Sequence, residues 1–386
     1  MPRRMIWAAG LAGLLGSTCL YTDARAQIAV SSNDGKGVLV NGVNTVPDDP
    51  VPDNIVVIDL GASPPKVLAE VKMPTSLVGP PSSVAVSADG SYALVTAATK
   101  IDPNDKKKVA PHNIVSVVDL KASPPAVIAT HETGTGASGV AINKAGTLAL
   151  VANRLEGTVS VFTISGKTLT PAGKVTLGDA KSQPAAVAFT PDGKRALVTR
   201  DGDSKVSVLT INGNTVEASK RDIHGGLRAY PLGISPNGDW AAFGNVGMGN
   251  GDSDTVSLID LKADPPRVVD TITVGQTPEG LVVAPDGKHM VVTVINGSSK
   301  PPGSPFRNDH GLAVVLATDG KKLSKVAEGN SGTWCQGAAW SRDSKTVLVQ
   351  CMLEQEIQVF AFDGKGLTRT GAIKVSGGPS GFGTSQ

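Results

Sequence analysis

The stretch Val187-Ala-Phe-Thr-Pro-Asp-Gly-Lys-Arg-Ala-Leu-Val-Thr199 decides the fold. Its centre, Thr190-Pro-Asp-Gly193, predicts a tight turn, because proline holds φ near about −65° and glycine accepts the positive φ that a turn of this kind requires. The runs on either side are short, apolar and rich in small or β-branched residues, which is typical of buried strands. The stretch therefore predicts a β-hairpin.

The hairpin pattern occurs seven times along the chain. The other six copies centre on Asp34-Gly35, Asp89-Gly90, Ala145-Gly146, Asn237-Gly238, Asp286-Gly287 and Asp343-Ser344. Neighbouring copies lie 45 to 57 residues apart. A repeat of that length is one supersecondary unit, and it needs neighbours on both sides because it cannot bury both of its faces alone.

A third and a fourth strand follow each hairpin. Lys205-Val-Ser-Val-Leu-Thr-Ile211 is typical of the third strands and Val67-Leu-Ala-Glu-Val71 of the fourth. Three of the intervening turns end in paired prolines, which bar further pairing at an outer edge. Four antiparallel strands repeated seven times, without a helical period, predict an all-β seven-bladed β-propeller that forms a single domain over residues 27–386.

The N-terminus has the pattern of a cleaved export signal over residues 1–26. Arg3 and Arg4 precede an apolar stretch from Ala8 to Leu20, and Ala24-Arg25-Ala26 is typical of a cleavage site. The apolar stretch is too short for a membrane-spanning helix. We expect a periplasmic or secreted protein, with the Sec and the twin-arginine routes both open.

The charge balance of the mature chain argues against nucleic acid and membrane partners. Removing residues 1–26 takes away three arginines and one aspartate, which leaves 33 basic and 33 acidic residues of the 36 and 34 in the whole chain. A neutral chain offers no general field for nucleic acid or anionic lipid. We expect a monomer with no membrane span in its mature form.

The mature chain keeps two cysteines, Cys335 and Cys351, on either side of the seventh hairpin. A three-residue turn centred on Asp343 places them opposite each other on adjacent antiparallel strands, close enough for a bond. An oxidising compartment favours a disulfide. Two buried free thiols remain the alternative.

The repeat segments resemble the YVTN-repeat family of bacterial seven-bladed propellers, within the lactonase-like propeller superfamily. The matching segments are Leu150-Val-Ala-Asn-Arg with Thr158-Val-Ser-Val161, and Leu197-Val-Thr-Arg with Lys205-Val-Ser-Val208. The resemblance covers nearly the whole mature chain and implies the fold. It does not by itself imply an activity, because such folds host many functions.

The C-terminal segment 377–386 is predicted to help close the ring. Pro379-Ser-Gly-Phe matches the lead-in Pro278-Glu-Gly-Leu281 of an inner strand, and the first blade lacks such a lead-in. The alternative is a frayed tail.

Candidate binding residues lie on the face opposite the hairpin turns, where the loops are long. Loops 41–53, 97–113, 244–254 and 295–310 build this face, and long loops on a rigid scaffold commonly carry sites. The alternative is that the residues of these loops are only solvated surface and form no site. The predicted binding residues are Asn153, Arg154, Arg200, Arg228, Tyr230, Asn245, Glu279, Arg307, His310, Trp334 and Gln336. The arginines predict a locally basic channel mouth suited to a carboxylate or lactone oxygen.

The main functional hypothesis is a binding or interaction module for a small polar ligand or a partner protein. The alternative is a lactone hydrolase similar to 6-phosphogluconolactonase, with Glu279 as base and Arg200 or Arg228 as the cation. The lactonase branch implies histidines just before several inner strands. This chain has none in that column, whose residues are Ser83, Gly139, Ala186, Pro231, Gly280 and Gly337.

No cofactor is predicted. The absence of a Cys-x-x-Cys-His motif argues against covalently attached haem. Asn250, Asp252 and Asp254 have the initial oxygen spacing of a calcium loop, but Thr255 and Leu261 replace its glycine and glutamate, so they form only a weak metal candidate.

Overall fold

A computed structural model describes residues 1–2 and 27–385 of the chain. The export signal expected over residues 1–26 falls on residues outside this description, apart from the first two. Among the described residues, no helix has the length and apolar character needed to cross a bilayer.

The described chain is almost entirely β-structure. It begins with β1 (Ile28–Asp34), β2 (Val38–Val40), β3 (Val43–Thr45), β4 (Asn54–Asp59) and β5 (Lys66–Lys72). Next come β6 (Val84–Val86), β7 (Tyr92–Ile101), β8 (Val109–Asp119), β9 (Ala126–Glu132), β10 (Ala137–Ile142), β11 (Leu148–Asn153), β12 (Thr158–Ser165) and β13 (Thr168–Thr176). After the 3₁₀ turn Ala180–Ser182 follow β14 (Pro184–Phe189), β15 (Arg195–Arg200), β16 (Lys205–Asn212), β17 (Thr215–His224), β18 (Ala229–Ile234), β19 (Trp240–Asn245), β20 (Asp254–Asp260) and β21 (Arg267–Gly275). The chain ends with β22 (Pro278–Val283), β23 (His289–Val294), β24 (Leu312–Thr318), β25 (Leu323–Asn330), β26 (Cys335–Trp340), β27 (Thr346–Cys351), β28 (Glu356–Phe362), β29 (Leu367–Lys374) and β30 (Gly378–Thr384).

The strands form seven four-stranded antiparallel sheets, which confirms the predicted seven-bladed propeller. Blades 2 to 7 each use four consecutive strands, from β6–β9 through β26–β29, with the first strand innermost. Blade 1 has the order β30-β1-β4-β5, so its inner strand comes from the other end of the chain. There Val30 pairs with Gly383 of β30 and with Val57 of β4. The ring is thus closed by pairing between the first and last strands.

This closure corrects one of the seven predicted hairpins. Asp34-Gly35 is not a turn between an inner and a second strand, because Asp34 ends β1, which is itself the second strand of blade 1. In this second strand Asn33 takes the position that Asn153 holds in blade 3, since Asn33 pairs with Asn54 as Asn153 pairs with Thr158.

The core lies between successive blades and consists mainly of small and branched aliphatic side chains. Leu258 of blade 5 and Val292 of blade 6, for example, share one buried cluster, and Leu150 and Leu209 of blades 3 and 4 share another. Each fully buried side chain of this size stabilises the fold by about 1.5–3 kcal/mol. Short side chains allow the blades to approach closely over their whole length.

The predicted disulfide is confirmed between Cys335 and Cys351. These residues are direct partners in the β26–β27 ladder of blade 7. The bond therefore links an inner strand to a second strand on the side away from the hairpin turn.

The face opposite the inner hairpin turns carries the long loops and is called the crown here. It consists of residues 35–53, 102–108, 246–253 and 295–311. The hairpin β2–β3 of blade 1 extends from this face as far as blade 6, where Gly42 lies against Pro301 so closely that a Cβ atom at Gly42 would come within 2.6 Å of the proline ring. The crown loops thus bridge blades that are not neighbours in the ring.

Candidate functional site

The inner strands surround an axial channel, and polar side chains lie around its crown end. Ser138, Tyr230, Glu279 and Gln336 occupy the second positions of their strands, and Ser380, the third residue of β30, corresponds to them in the Pro-x-Gly lead-in. Ser138 Oγ and Gln336 Oε1 are buried without a hydrogen-bond partner in the described part of the protein, and the same holds for Ser82 Oγ just ahead of β6. Buried polar atoms of this kind require water or a ligand.

The floor of this space is the segment before β6. Pro81 lies so close to the inner strands of blades 6 and 7 that a Cβ atom at Gly280 or at Gly337 would come within 3.2 Å of its ring. The backbone N–H of Phe382 in β30 donates to Pro81 O at 3.1 Å. A blade 2 residue therefore reaches across the axis and fills the channel at that level. The polar side chains of the inner strands lie next to it and are buried or half-buried.

A buried carboxylate between two arginines forms one wall. Asp201, whose side chain is fully buried, accepts hydrogen bonds from Arg228 Nε at 2.8 Å and Arg228 Nη2 at 3.2 Å. It also accepts a hydrogen bond from Arg154 Nη2. Burial alone would raise the pKa of Asp201, but the two guanidinium groups outweigh it and hold that pKa below its ordinary value. The carboxylate is ionised at neutral pH.

Tyr230 connects this wall to the channel axis. The guanidinium of Arg154 lies over its ring, 5.4 Å from the centroid, in a cation–π contact. Burial raises the pKa of the Tyr230 hydroxyl, and the negative charge of Glu279 raises it further. The hydroxyl is therefore a neutral hydrogen-bond donor at physiological pH, and it makes no hydrogen bond to any described residue.

Glu279 of blade 6 faces the arginines and is the titratable group of the site. It forms neither a hydrogen bond nor an ion pair with any described residue. Burial raises its pKa to about 7; Arg228 and Arg154 oppose the shift, and Asp201 adds to it. A carboxyl group with that pKa exchanges a proton near neutrality, as a general base must.

The second predicted cation, Arg200, does not join Glu279. Its guanidinium pairs with Asp203 and, at 3.4 Å, with Asp222. It also donates to Ser207 Oγ at 3.3 Å and to Ser182 Oγ at 3.2 Å. These contacts hold the connection between blades 3 and 4 and the outer part of blade 4.

Asn153 and Asn245 are also structural. Each donates twice to hydroxyl groups of the third strand, and its Oδ1 accepts the N–H of a glycine, Gly134 or Gly226, in the preceding connection. The side chains of Asn153 and Asn245 therefore bind groups of their own blades, and these hydrogen bonds do not connect them to the arginine wall.

The remaining predicted binding residues belong to the crown rim. Arg307 is exposed, donates to Lys300 O at 2.8 Å and lies 3.9 Å from Asp309. His310 is half-buried, with Nδ1 3.2 Å from Gly311 O. Trp334 is half-buried beside the channel residue Gln336, with its backbone N–H on Ser298 Oγ at 3.0 Å.

The weak calcium candidate does not form a site in the described chain. Asn250 and Asp252 are exposed, and Asp254 accepts the N–H of Thr277 at 2.8 Å. Within residues 1–2 and 27–385, no group of three or more His, Cys, Asp or Glu side chains is arranged to hold a metal ion.

Two cavities of about 310 and 450 Å³ lie elsewhere, between the crown loops of blades 1 and 2. Lys36 separates them, and its ammonium group is bound by Asp34 at 3.0 Å, Asp53 at 2.7 Å and Thr75 O at 2.6 Å. This buried cation has all its donors used and anchors the loop after β1. Neither cavity includes Glu279 or the arginine pair.

The sequence analysis did not single out Asp201, which binds both arginines of the wall. In the sequence it is an aspartate directly after Arg200 in a turn, and a charged residue in a turn is usually solvated. Asp201 also makes the channel mouth less positive than predicted, because its carboxylate neutralises one of the two arginine charges beside Glu279.

The comparisons with known proteins point to lactonase propellers. A family model described as "Lactonase, 7-bladed beta-propeller" matches residues 112–226. No curated protein matches the chain. A putative 6-phosphogluconolactonase from Bacteroides fragilis is similar in structure, with a TM-score of 0.70 and 18% identity over 95% of this chain and 99% of that one.

Two further structures show the same likeness. The periplasmic gluconolactonase of Pseudomonas aeruginosa has a TM-score of 0.69 and 17% identity, covering 93% of this chain and 99% of its own. A functionally unknown protein from Desulfotomaculum acetoxidans has a TM-score of 0.68 and 14% identity, with coverages of 94% and 99%. At these identities the structural matches concern the fold. The family match adds a similarity to lactonase propellers over residues 112–226.

Proposed function

We propose that the protein is a lactone hydrolase whose active site is the crown end of the axial channel. The observation that carries this proposal is Glu279, a carboxyl group without a protein partner, with a pKa of about 7, beside two arginines and a neutral tyrosine. The lactonase family match over residues 112–226 supports the same activity.

Glu279 is the general base in this proposal. Its carboxylate accepts a proton from a water molecule, while the water oxygen bonds to the carbonyl carbon of the lactone. The ring C–O bond then breaks, and the leaving alkoxide takes the proton from Glu279. The product is a hydroxy acid, which releases its carboxyl proton to solvent at neutral pH.

Arg228 and Tyr230 stabilise the developing oxyanion. Arg228 is held by Asp201 through Nε and Nη2, and it also donates to Gly247 O at 3.2 Å, so its position is fixed before the substrate binds. A preorganised donor of this kind contributes more than a mobile one, because no reorganisation is needed during the reaction. The Tyr230 hydroxyl supplies a second, neutral donor.

Arg154 and Asp201 position these groups. Arg154 lies on the Tyr230 ring and donates to Gln183 Oε1 at 2.9 Å as well as to Asp201. Neither residue needs to touch the lactone. This proposal keeps Glu279 and Arg228 of the predicted catalytic residues and leaves out Arg200, which is engaged by Asp203 and Asp222.

The experiment is turnover of a panel of γ- and δ-lactones by purified wild-type protein and by Glu279→Gln. We expect kcat to fall about 10²–10⁴-fold in the variant, which is the usual contribution of a general base. Glu217→Gln, on the exposed outer strand β17, is the matched control and should keep full activity. Absence of turnover by wild type, or an unchanged kcat in Glu279→Gln, contradicts the proposal.

The hypothesis of a pure binding module stays a prediction and has no observation that favours it over hydrolysis. Affiliation with the YVTN-repeat family, export to the periplasm or outside the cell, and a monomeric state are likewise part of the proposal. A protein released by export would meet lactones outside the cytoplasm.

A further inference from the structure

Three exposed aliphatic residues are close neighbours in the chain of the residues that form the arginine wall. Leu155 directly follows Arg154 in the chain, and Leu227 directly precedes Arg228. Met248 follows Gly247, whose carbonyl oxygen accepts a hydrogen bond from Arg228 Nη1. Their exposed fractions are 39%, 50% and 64%. We call these three residues the rim patch.

The rim patch is held close to the site by backbone hydrogen bonds. Gly247 N donates to Leu227 O at 3.2 Å, and Val246 N donates to Arg228 O at 3.1 Å, so the segment that carries Arg228 runs beside the crown loop 246–253. Leu155 N donates to Thr135 O at 3.1 Å, which fixes the turn after Arg154. The backbone that carries the rim patch is therefore fixed by hydrogen bonds directly next to Arg154 and Arg228.

The charges inside the site do not favour a strongly anionic substrate. Arg154 and Arg228 share the carboxylate of Asp201, and an ionised Glu279 balances the remaining positive charge. A phosphate dianion needs uncompensated guanidinium or ammonium groups to replace its hydration. An uncharged lactone ring with a carbonyl oxygen needs only the fixed donors that the wall provides.

We infer that the preferred substrate is an uncharged lactone that carries an aliphatic chain, with the ring beside Glu279 and the chain on the rim patch. This inference rests on the proposed function for the reaction itself, while binding of the chain is a separate property of the patch. An aliphatic chain on exposed leucine and methionine side chains is stabilised by the apolar area removed from water.

The test uses γ-lactones with unbranched side chains of zero to eight carbons, together with a phosphorylated sugar lactone. We expect kcat/KM to rise about twofold for each added methylene group, half of the gain expected for full burial, until the patch is covered. The phosphorylated lactone should be the poorer substrate. A flat dependence on chain length, or preference for the phosphorylated lactone, overturns the inference.

A double variant, Leu227→Ser with Met248→Ser, tests the patch itself. We expect it to lose the dependence of kcat/KM on chain length. Ile128→Ser, on the outer strand β9 with an exposed fraction of 50%, is the matched control and should keep that dependence. A double variant with the wild-type dependence on chain length overturns the inference.

Calorimetric binding of the same lactones to Glu279→Gln protein separates the inference from the proposed function. Affinity that rises with chain length and is lost when Leu227 and Met248 are also replaced supports the rim patch even if wild-type protein hydrolyses no lactone, in which case only the hydrolase proposal fails. Turnover by wild type combined with chain-independent affinity sinks the inference and leaves the hydrolase proposal intact.

Discussion

Arg228 and Asp201 face each other in a two-point contact, Nε to Oδ1 at 2.8 Å and Nη2 to Oδ2 at 3.2 Å, on the wall of the axial channel. Asp201 comes from the turn after β15 in blade 4, and Arg228 from the connection into blade 5. The same carboxylate also binds Arg154 of blade 3. One buried side chain therefore joins three consecutive blades. Its negative charge also acts on Glu279, which belongs to blade 6.

Replacing Asp201 with asparagine is expected to destabilise the fold and to move the pKa of Glu279 downward. The variant leaves Arg154 and Arg228 without their shared anion, a change that costs about 3 kcal/mol when a buried ion pair is broken. Asp201 also raises the pKa of Glu279, so its loss shifts the pH–rate profile toward lower pH. Urea unfolding and pH–rate measurements check the two effects.

Asp203→Asn is the matched control for Asp201→Asn. Asp203 pairs with Arg200 and its side chain keeps 27% of its surface exposed, so its loss should cost less than about 1 kcal/mol and leave the pH–rate profile unchanged.

The stabilisation by Asp201 should depend on pH. Because the pKa of Asp201 is lowered by folding, its stabilisation is present above about pH 4 and is lost as the pH falls through the lowered pKa. Equal losses in both variants at pH 7 would contradict this assignment.

Glu279 is expected to reduce stability at alkaline pH. Its pKa is raised by folding from 4.5 to about 7, so the folded state holds the proton more tightly than the unfolded chain. Its contribution to stability is therefore fully present below about pH 4 and is lost as the pH rises through 7. Glu279→Gln should be about 3 kcal/mol more stable than wild type at pH 8, with the advantage gone at pH 4.

Urea unfolding of both proteins at pH 4, 6 and 8 measures this difference. Hydrolysis by wild type should rise with pH through about 7 as Glu279 loses its proton. A stability difference that does not depend on pH would show that Glu279 is solvated like an ordinary surface carboxylate.

The repeat predicted from Thr190-Pro-Asp-Gly193 gave the fold because each blade is a local unit with its own turn chemistry. It failed at Asp34-Gly35, where the same residue types end a second strand. The inner strand of that blade comes from residues 378–384, and turn chemistry carries no information about a partner from the other end of the chain. The similarity of Pro379-Ser-Gly-Phe to Pro278-Glu-Gly-Leu was the only local indication.

The site was predictable only in part, because an arginine in a repeat column does not reveal which way its side chain points. Glu279, Arg228, Arg154 and Tyr230 come together as a cluster, while Arg200 turns toward Asp203 and Asp222. Partner choice there depends on the side of the strand and on charges from other blades. The role of Asp201 could not be predicted for the same reason, since its partners Arg154 and Arg228 lie 47 residues before it and 27 residues after it.

The C-terminal strand should be essential for folding of the ring. A chain ending at residue 376 loses β30, which pairs with β1 from Ala29 to Asp34 and brings the buried Phe382. Strand β1 would then expose a long unpaired edge. We expect loss of the cooperative unfolding transition, measured by calorimetry.

Adding the peptide 377–385 in trans should restore the transition in proportion to its concentration, because binding to the folded state stabilises it by mass action. A peptide of the same composition in scrambled order is the control. An unchanged melting temperature in the truncated chain would mean that the tail only covers the ring.

The contact between Gly42 and Pro301 should hold the β2–β3 hairpin against blade 6. Gly42 has φ of +79°, and a Cβ atom there would approach Pro301 Cδ to 2.6 Å and Pro301 N to 2.7 Å, so Gly42→Val must displace the hairpin tip. Gly303→Val is the matched control, because Gly303 has φ of +83° and no atom within 4 Å of the added Cβ. Both variants carry the backbone cost of a valine in the left-handed conformation, about 1–2 kcal/mol, but only Gly42→Val carries the clash with Pro301.

We expect faster amide hydrogen exchange over residues 38–45 in Gly42→Val alone. The global stability should be similar in the two variants, because Val40 and Val43 are already exposed. Equal exchange in the two variants would show that the hairpin is held by its own strand pairing and not by its contact with blade 6.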